Sequence, residues 1–201
     1  MCARYELLTT LEGIAAGVVL RTPPTDDQVH KARAFERGEV RPTNLAPIIT
    51  PDRTLAWIPW GLAVDWQNQP VINARAETLG SKPTFQPLLN RRCLVPASAY
   101  FEWRVTGREK IKTRIRADHS NVFTFAGLLS DNRFLIITCA PAPAIANIHD
   151  RMPVILDRAG QDLWLSDRPY SEVKSVLAPF GGDLAFEEIT PPPKRQGVLV
   201  F

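Results

Sequence analysis

The sequence predicts an α+β fold in one domain spanning residues 1–201, with a barrel-like core of mixed and antiparallel strands and short peripheral helices. Three observations carry that expectation. Eighteen prolines cut the chain into short elements joined by many turns. Short apolar or alternating runs recur, whereas sustained helical periods do not. No shift in composition divides the 201 residues, a length that suits a single sizeable core.

Taken in order, residues 6–24 are apolar, contain Gly13 and Gly17, and show no clear period. Thr25-Asp26-Asp27 reads as a helix start, and Val29, Ala32, Arg33 and Phe35 carry a weak helical period to Gly38. Arg41 to Pro47 reads as a proline-bracketed loop. Leu55 to Gly61 reads as a strand, followed by a loop through Asp65-Trp66-Gln67-Asn68. From Val71 to Thr78 every second residue is polar, which on a strand places Asn73, Arg75 and Glu77 on one face. Arg91 to Trp103 predicts two short strands around Pro96-Ala97-Ser98. Lys110 to Arg116 alternates as a half-exposed strand does, while Val122 to Leu129 and Phe134 to Cys139 suit buried strands. Pro143 to His149 predicts one helical turn or two, and Val154 to Leu156 a further strand. Gln161 to Leu165 and Ser171 to Leu177 read as short helices. The tail from Leu184 is expected to be irregular.

Composition excludes several classes. Apolar residues make up 45% and charged residues 22%, a globular balance. A net charge of +3 permits a nucleic-acid partner without implying one, because a local patch matters more than the sum. Three cysteines, with no apolar signal stretch, point to free thiols in a reducing cytosol, so a cytoplasmic location is expected. No apolar run reaches membrane-spanning length. The scattered histidines and cysteines lack metal-ligand spacing, so neither a metal nor a cofactor is expected.

Four spots can carry chemistry. Met1-Cys2-Ala3-Arg4-Tyr5 opens the chain, and the small Cys2 side chain suits removal of Met1. Removal leaves a free α-amine beside the thiol, groups that ordinarily titrate at about 8 and about 8.5. Such a pair converts an aldehyde first to an imine and then to a thiazolidine, and the second step is intramolecular. Phe101-Glu102-Trp103 places a carboxylate between aromatics. Either Glu102 is desolvated and its pKa rises toward neutrality, or strand alternation turns it to solvent. His149-Asp150-Arg151-Met152-Pro153 offers a proton carrier and a phosphate ligand, or else a helix cap before Pro153. Asn73 can orient a reacting group and Arg75 can reach a phosphate, unless they are a turn residue and half of an Arg75–Glu77 salt bridge. Trp66, in a polar loop, either stacks a base or is simply packed. Cys93 and Cys139 lie in apolar strand contexts and read as core residues.

Taken together, these motifs resemble the SRAP family, the SOS-response-associated peptidase-like proteins. The resemblance rests on Met1-Cys2-x-Arg4, Asn44-Leu45-Ala46-Pro47, Trp60-Gly61-Leu62 and Ile72 to Thr78. It continues through Arg92 to Pro96, Phe101-Glu102-Trp103, Phe125 to Leu128 and His149 to Pro153, and so covers nearly the whole chain. It implies a protein that processes abasic sites in single-stranded DNA, in which an exposed Cys2 forms a covalent thiazolidine with the ring-opened sugar. Asn73, Glu102 and His149 match the family's positioning asparagine, acid/base carboxylate and assisting histidine. Arg4, Arg75 and Arg151 fall where phosphates are gripped, and Trp66 where an aromatic packs against nucleotides. The resemblance further implies self-removal of Met1, abasic-site lyase behaviour and largely single-turnover action. A monomer is expected, associated with the nucleoid when bound to DNA. Ala3 stands where glycine is common, and the segment Pro191 to Arg195 lacks the family's asparagine-bearing ending. Two rival functions remain open at this level. One is a cysteine peptidase using Cys2, His149 and Glu102 or Asp150; the other is a non-covalent single-strand binder using Arg4, Arg75 and Trp66.

Overall fold

Short β-branched and aromatic runs between prolines build a strand-rich molecule. The computed structural model describes residues 2–18, 20–22, 24–35, 38–117 and 121–189. Its strands are β1 (Tyr5–Leu7), β2 (Gly38–Val40), β3 (Leu45–Ile49), β4 (Leu55–Pro59), β5 (Leu62–Val64), β6 (Gln67–Val71), β7 (Asn73–Arg75) and β8 (Arg92–Ala97). They continue as β9 (Ala99–Thr106), β10 (Glu109–Ala117), β11 (Phe123–Leu129), β12 (Phe134–Cys139), β13 (Met152–Pro153), β14 (Ile155–Leu156) and β15 (Leu184–Ile189). The helices are α1 (Leu11–Gly17), α2 (Asp26–Phe35), α3 (Arg158–Trp164) and α4 (Tyr170–Val173). None of the described helices is long and apolar enough to cross a membrane.

Two sheets enclose one core. The first runs β15-β10-β9-β1-β2. The second runs β13-β12-β11-β8-β3-β4, with β14 against β11 and β7 against β12, and β5–β6 forms a separate hairpin. The β7–β12 ladder is parallel and the other named ladders are antiparallel. Tyr5 and Tyr100 from the first sheet meet Phe125 of the second edge-on, at ring separations of 5.9 and 6.0 Å. The barrel-like expectation is corrected here, because the sheets do not close. Among the described residues each path ends in strands with a single ladder neighbour, β15 and β2 in one sheet and β13 and β4 in the other. Alternation within a strand specifies which face is buried but not whether the last strand meets the first.

Other differences from the sequence reading have local causes. The stretch expected as a loop through Pro47 enters β3 at Leu45. The Trp60 N–H bonds the Asn44 carbonyl, so the hydrogen-bonded pairs of the β3–β4 ladder fall at alternate residues and leave Pro47 and Pro59 in non-bonded pairs. Their missing donors therefore remove nothing from that ladder. Pro96 is tolerated in buried β8 for the same reason, since the Leu129 N–H to Arg91 carbonyl bond sets the bonded pairs at odd-numbered β8 positions. The apolar stretch without a period holds the end of β1 and all of α1, the helix capped by Thr10, whose hydroxyl accepts from Gly13 N–H at 3.3 Å. Thr25 starts α2 as expected, in a reciprocal capping box with Gln28. Strand β7 ends at Arg75 and a 3-10 turn begins at Ala76, so Glu77 leaves the face it was expected to share. Part of the tail expected to be irregular is strand β15, paired with β10 over Leu184–Ile189; the remainder, 190–201, lies outside the described residues.

Candidate active site

Pairing of β1 with β9 creates the centre of the site. Tyr5 stands opposite Tyr100, and the Phe101 N–H donates to the Arg4 carbonyl at 3.0 Å. The residues leading into β1 are thereby laid along Phe101-Glu102-Trp103. Asn73 arrives from β7, and its Nδ2 donates to the Cys2 carbonyl at 2.7 Å. His149 arrives from the loop between β12 and β13, where its N–H bonds the Ile145 carbonyl at 3.3 Å. Its Nε2 lies 3.6 Å from Glu102 Oε2. Cys2, Asn73, Glu102 and His149 are thus drawn from four separate segments into one place. The adjoining cleft has a volume of about 680 Å³, and its walls include Ala3, Glu102, Trp103, Lys110, Asn147 and His149.

Burial sets the protonation of the site. Glu102 is 2% exposed, and loss of solvent raises its carboxyl pKa to about 7 against the opposing pull of the chain's α-amine, with the charge of Asp150 adding a smaller upward push. Alternation had also allowed a solvent-facing Glu102; the covered sheet excludes it, because both faces of β9 are buried at this point. With Met1 still attached the Cys2 side chain is 0% exposed, which departs from the near-neutral thiol expected of a free cysteine. Burial holds the Cys2 thiol well above the usual range, the Glu102 charge pushes it further, and its Sγ lies 3.5 Å from the Arg4 carbonyl oxygen. His149 is lowered, chiefly by burial. The Arg151 N–H donates to His149 Nδ1 at 3.0 Å, which in the neutral ring leaves the proton on Nε2, facing Glu102. On protonation, Nδ1 has Asp150 Oδ1 within 2.9 Å. At neutral pH the arrangement therefore holds a protonated thiol beside a half-ionised carboxyl, with an imidazole next in line.

The candidate DNA-contacting residues are placed differently from one another. Arg4 rests over the Trp103 ring at 5.6 Å and pairs with Glu39 at 3.1 Å. Arg75 is exposed at the end of β7. The alternative Arg75–Glu77 pair does not form; Glu77 instead receives both arms of Arg151, each at 2.8 Å, and Arg151 Nη2 also donates to the Thr138 carbonyl at 2.7 Å. Arg151 thus fastens the β12–β13 loop that carries His149. Trp66 is 64% exposed at the tip of the β5–β6 hairpin, so it is not packed; β6 runs from it towards Asn73. Cys93 and Cys139 are buried, as expected. Trp103, Lys110 and Asn147 in the cleft wall were not singled out from the sequence, and only Trp103, beside Glu102 in its motif, carried a signal. Tyr5 and Tyr100 were not singled out either, and their buried hydroxyls have no hydrogen-bond partner among the described residues.

Fold and site together define a class: α+β proteins whose second residue, a cysteine, is buried against a carboxyl–imidazole pair on an open two-sheet frame. Residues 1–192 match the family model described as SOS response associated peptidase (SRAP), and the chain belongs to that family. It is 33% identical over 210 residues to the abasic site processing protein YoqW of Bacillus subtilis, covering 91% of this chain and 89% of that protein. It is also 33% identical over 132 residues to the abasic site processing protein YedK of Escherichia coli, covering 61% of this chain and 60% of that one. Among solved structures, a Bacteroides thetaiotaomicron protein shares the fold with a TM-score of 0.81 at 26% identity, over 94% of this chain and 92% of that chain.

Proposed function

We propose that this protein processes abasic sites in single-stranded DNA by covalent capture through Cys2. The observation that carries the reading is the convergence of Asn73, Glu102 and His149 on the second residue of the chain, with the Glu102 carboxyl poised at about 7. Hydrolysis of the Met1–Cys2 peptide bond consumes one water and frees the Cys2 α-amine. The amine adds to C1′ of the ring-opened sugar, and the carbinolamine loses its hydroxyl as water to give an imine. The Cys2 thiol then adds to the imine carbon and its proton passes to the nitrogen, closing the thiazolidine. Overall the adduct is protein plus DNA minus one water.

Each residue has a task in that sequence. Asn73 holds the Cys2 carbonyl and so aims the amine. Glu102, near half protonation at neutral pH, gives a proton to the departing hydroxyl and receives one from the thiol. His149, beside it, relays protons to solvent and assists opening of the sugar ring. If the imine persists before the thiol closes, loss of the β-phosphate gives lyase cleavage as a side reaction. The relatives named abasic site processing proteins support the substrate, and a single strand presents its lesion already unpaired.

Intact-mass analysis tests the reading. Expected are loss of Met1, and then a heat-stable gain equal to an abasic single-stranded oligonucleotide minus one water, absent in Cys2→Ala. A protein that has lost Met1, forms no adduct and cleaves added peptides would instead be a peptidase.

A further inference from the structure

A group of charges beside the cleft takes no part in the chemistry above. Glu39 on β2 receives Arg4 at 3.1 Å, Arg41 at 3.8 Å and Lys112 of β10 in a close ion pair. Three cations thus converge on one carboxylate and leave a surplus of two positive charges. Burial alone would raise the Glu39 carboxyl, but Lys112 and Arg4 pull it below the usual range, so the carboxylate is ionised at neutral pH. Lys112 also lies over the Phe101 ring at 4.0 Å, and Arg4 over Trp103 at 5.6 Å. In the β9–β10 register Lys112 stands opposite Trp103, which lines the Glu102–His149 cleft. Arg4 and Lys112 are therefore held beside the cleft wall on aromatic faces that fix their positions, and Arg41 joins them through Glu39.

We infer that Arg4, Arg41 and Lys112 form a backbone-phosphate subsite at the cleft rim, which the Glu39 carboxylate occupies as a stand-in anion until a DNA phosphate displaces it. The inference rests on the single-strand reading above and deepens it. A carboxylate and a phosphodiester are both oxyanions that accept charge-assisted bonds from the same donors. Arg4 and Lys112 are already stacked on rings, so exchange of one anion for the other requires little reordering of either side chain. Glu39 holds the cations together against their mutual repulsion in the free protein and, once displaced, opposes the incoming phosphate. It therefore trades affinity for pre-organisation and limits retention of undamaged strands.

The test is reversible binding of a short fluorescent single-stranded oligonucleotide without an abasic site, followed by anisotropy across a KCl series, with thermal unfolding recorded for every variant. Lys112→Gln and Arg41→Gln are expected to weaken binding and each to lower the slope of log K against log salt by about 0.7–1. Glu39→Gln is expected to tighten binding severalfold, even if its unfolding temperature falls. Arg41 is the most exposed member of the group, so its variant reports on the subsite if Lys112→Gln fails to fold. Weaker binding by Glu39→Gln, or slopes unchanged in both cation variants, overturns the inference. Failure of the capture reading is separately visible, as absence of the heat-stable adduct while salt-dependent binding persists.

Discussion

Glu102 is a carboxyl whose folded pKa, about 7, lies above its ordinary value of 4.5. Between those values the native state binds more protons than the unfolded chain, so rising pH lowers stability through that window. Replacing it with Gln removes the penalty. The Glu102→Gln variant is expected to gain on the wild type from pH 5 to pH 8, by on the order of 2 kcal/mol in urea unfolding. The same substitution should abolish the bend near pH 7 in the rate of adduct formation, read by gel shift under single-turnover conditions. A wild-type rate that is flat across pH 6–8 would remove Glu102 from the proton path. Asn73 separates positioning from stability: Asn73→Ala loses the 2.7 Å bond to the Cys2 carbonyl and is expected to slow capture by roughly 10–100-fold. The accompanying loss of stability should be only about 1 kcal/mol. Cys2 was legible as a reagent from its place in the chain, but its ionisation was not, because burial against Glu102 reverses the expectation for a free thiol.

At the scale of elements, β11 lies between its ladder neighbours β8 and β12, and at Gly127 they approach it closely. A Cβ added at Gly127 would meet Cys93 Sγ at 2.8 Å and the Leu135 carbonyl oxygen at 2.9 Å. Gly127→Ala is therefore expected to cost about 1–3 kcal/mol, measured by urea titration, without altering the site residues themselves. The β5–β6 hairpin should behave in the opposite way. Trp66 is mostly exposed at its tip, so Trp66→Ala should leave unfolding within about 0.5 kcal/mol of wild type. Single-strand binding should nonetheless weaken by about 1–3 kcal/mol, since base stacking is lost. Unchanged binding would mean that the hairpin does not touch the strand. Strands β4, β7 to β12 and β14 were legible from alternation or apolar runs, whereas the short β1, β2, β5, β6 and β13 gave no signal of their own. β3 was hidden by Pro47 and β15 by its charged Glu187 and Glu188, because whether a proline or a charge is tolerated depends on which ladder, or which edge, the residue faces.

Over the whole molecule, the buried residues of both sheets join one hydrophobic cluster, which supports the proposal of a single domain. The five tryptophans are spread along the chain, and Trp60 and Trp164 are buried. Tryptophan fluorescence and far-UV circular dichroism are accordingly expected to report coincident urea transitions. Two separated transitions would divide the chain. The site depends on this long-range assembly, since Cys2, Asn73, Glu102 and His149 come from β1, β7, β9 and the β12–β13 loop regions respectively.

By itself the sequence determined the α+β class, the positions of eight of the fifteen described strands and, through motif resemblance, the residues on which the proposed chemistry rests. Those features follow from local alternation, turn residues and side-chain identity, which a linear chain already carries. Tertiary structure alone decided that the sheets stay open, that Arg151 pairs with Glu77 and not Arg75 with Glu77, and that Glu39 gathers three cations. It also decided that Glu102 and Cys2 are buried, and therefore which of them holds a proton at neutral pH. Ladder closure, ion-pair choice and desolvation depend on which distant segments meet, and none of them is encoded in any short stretch of residues.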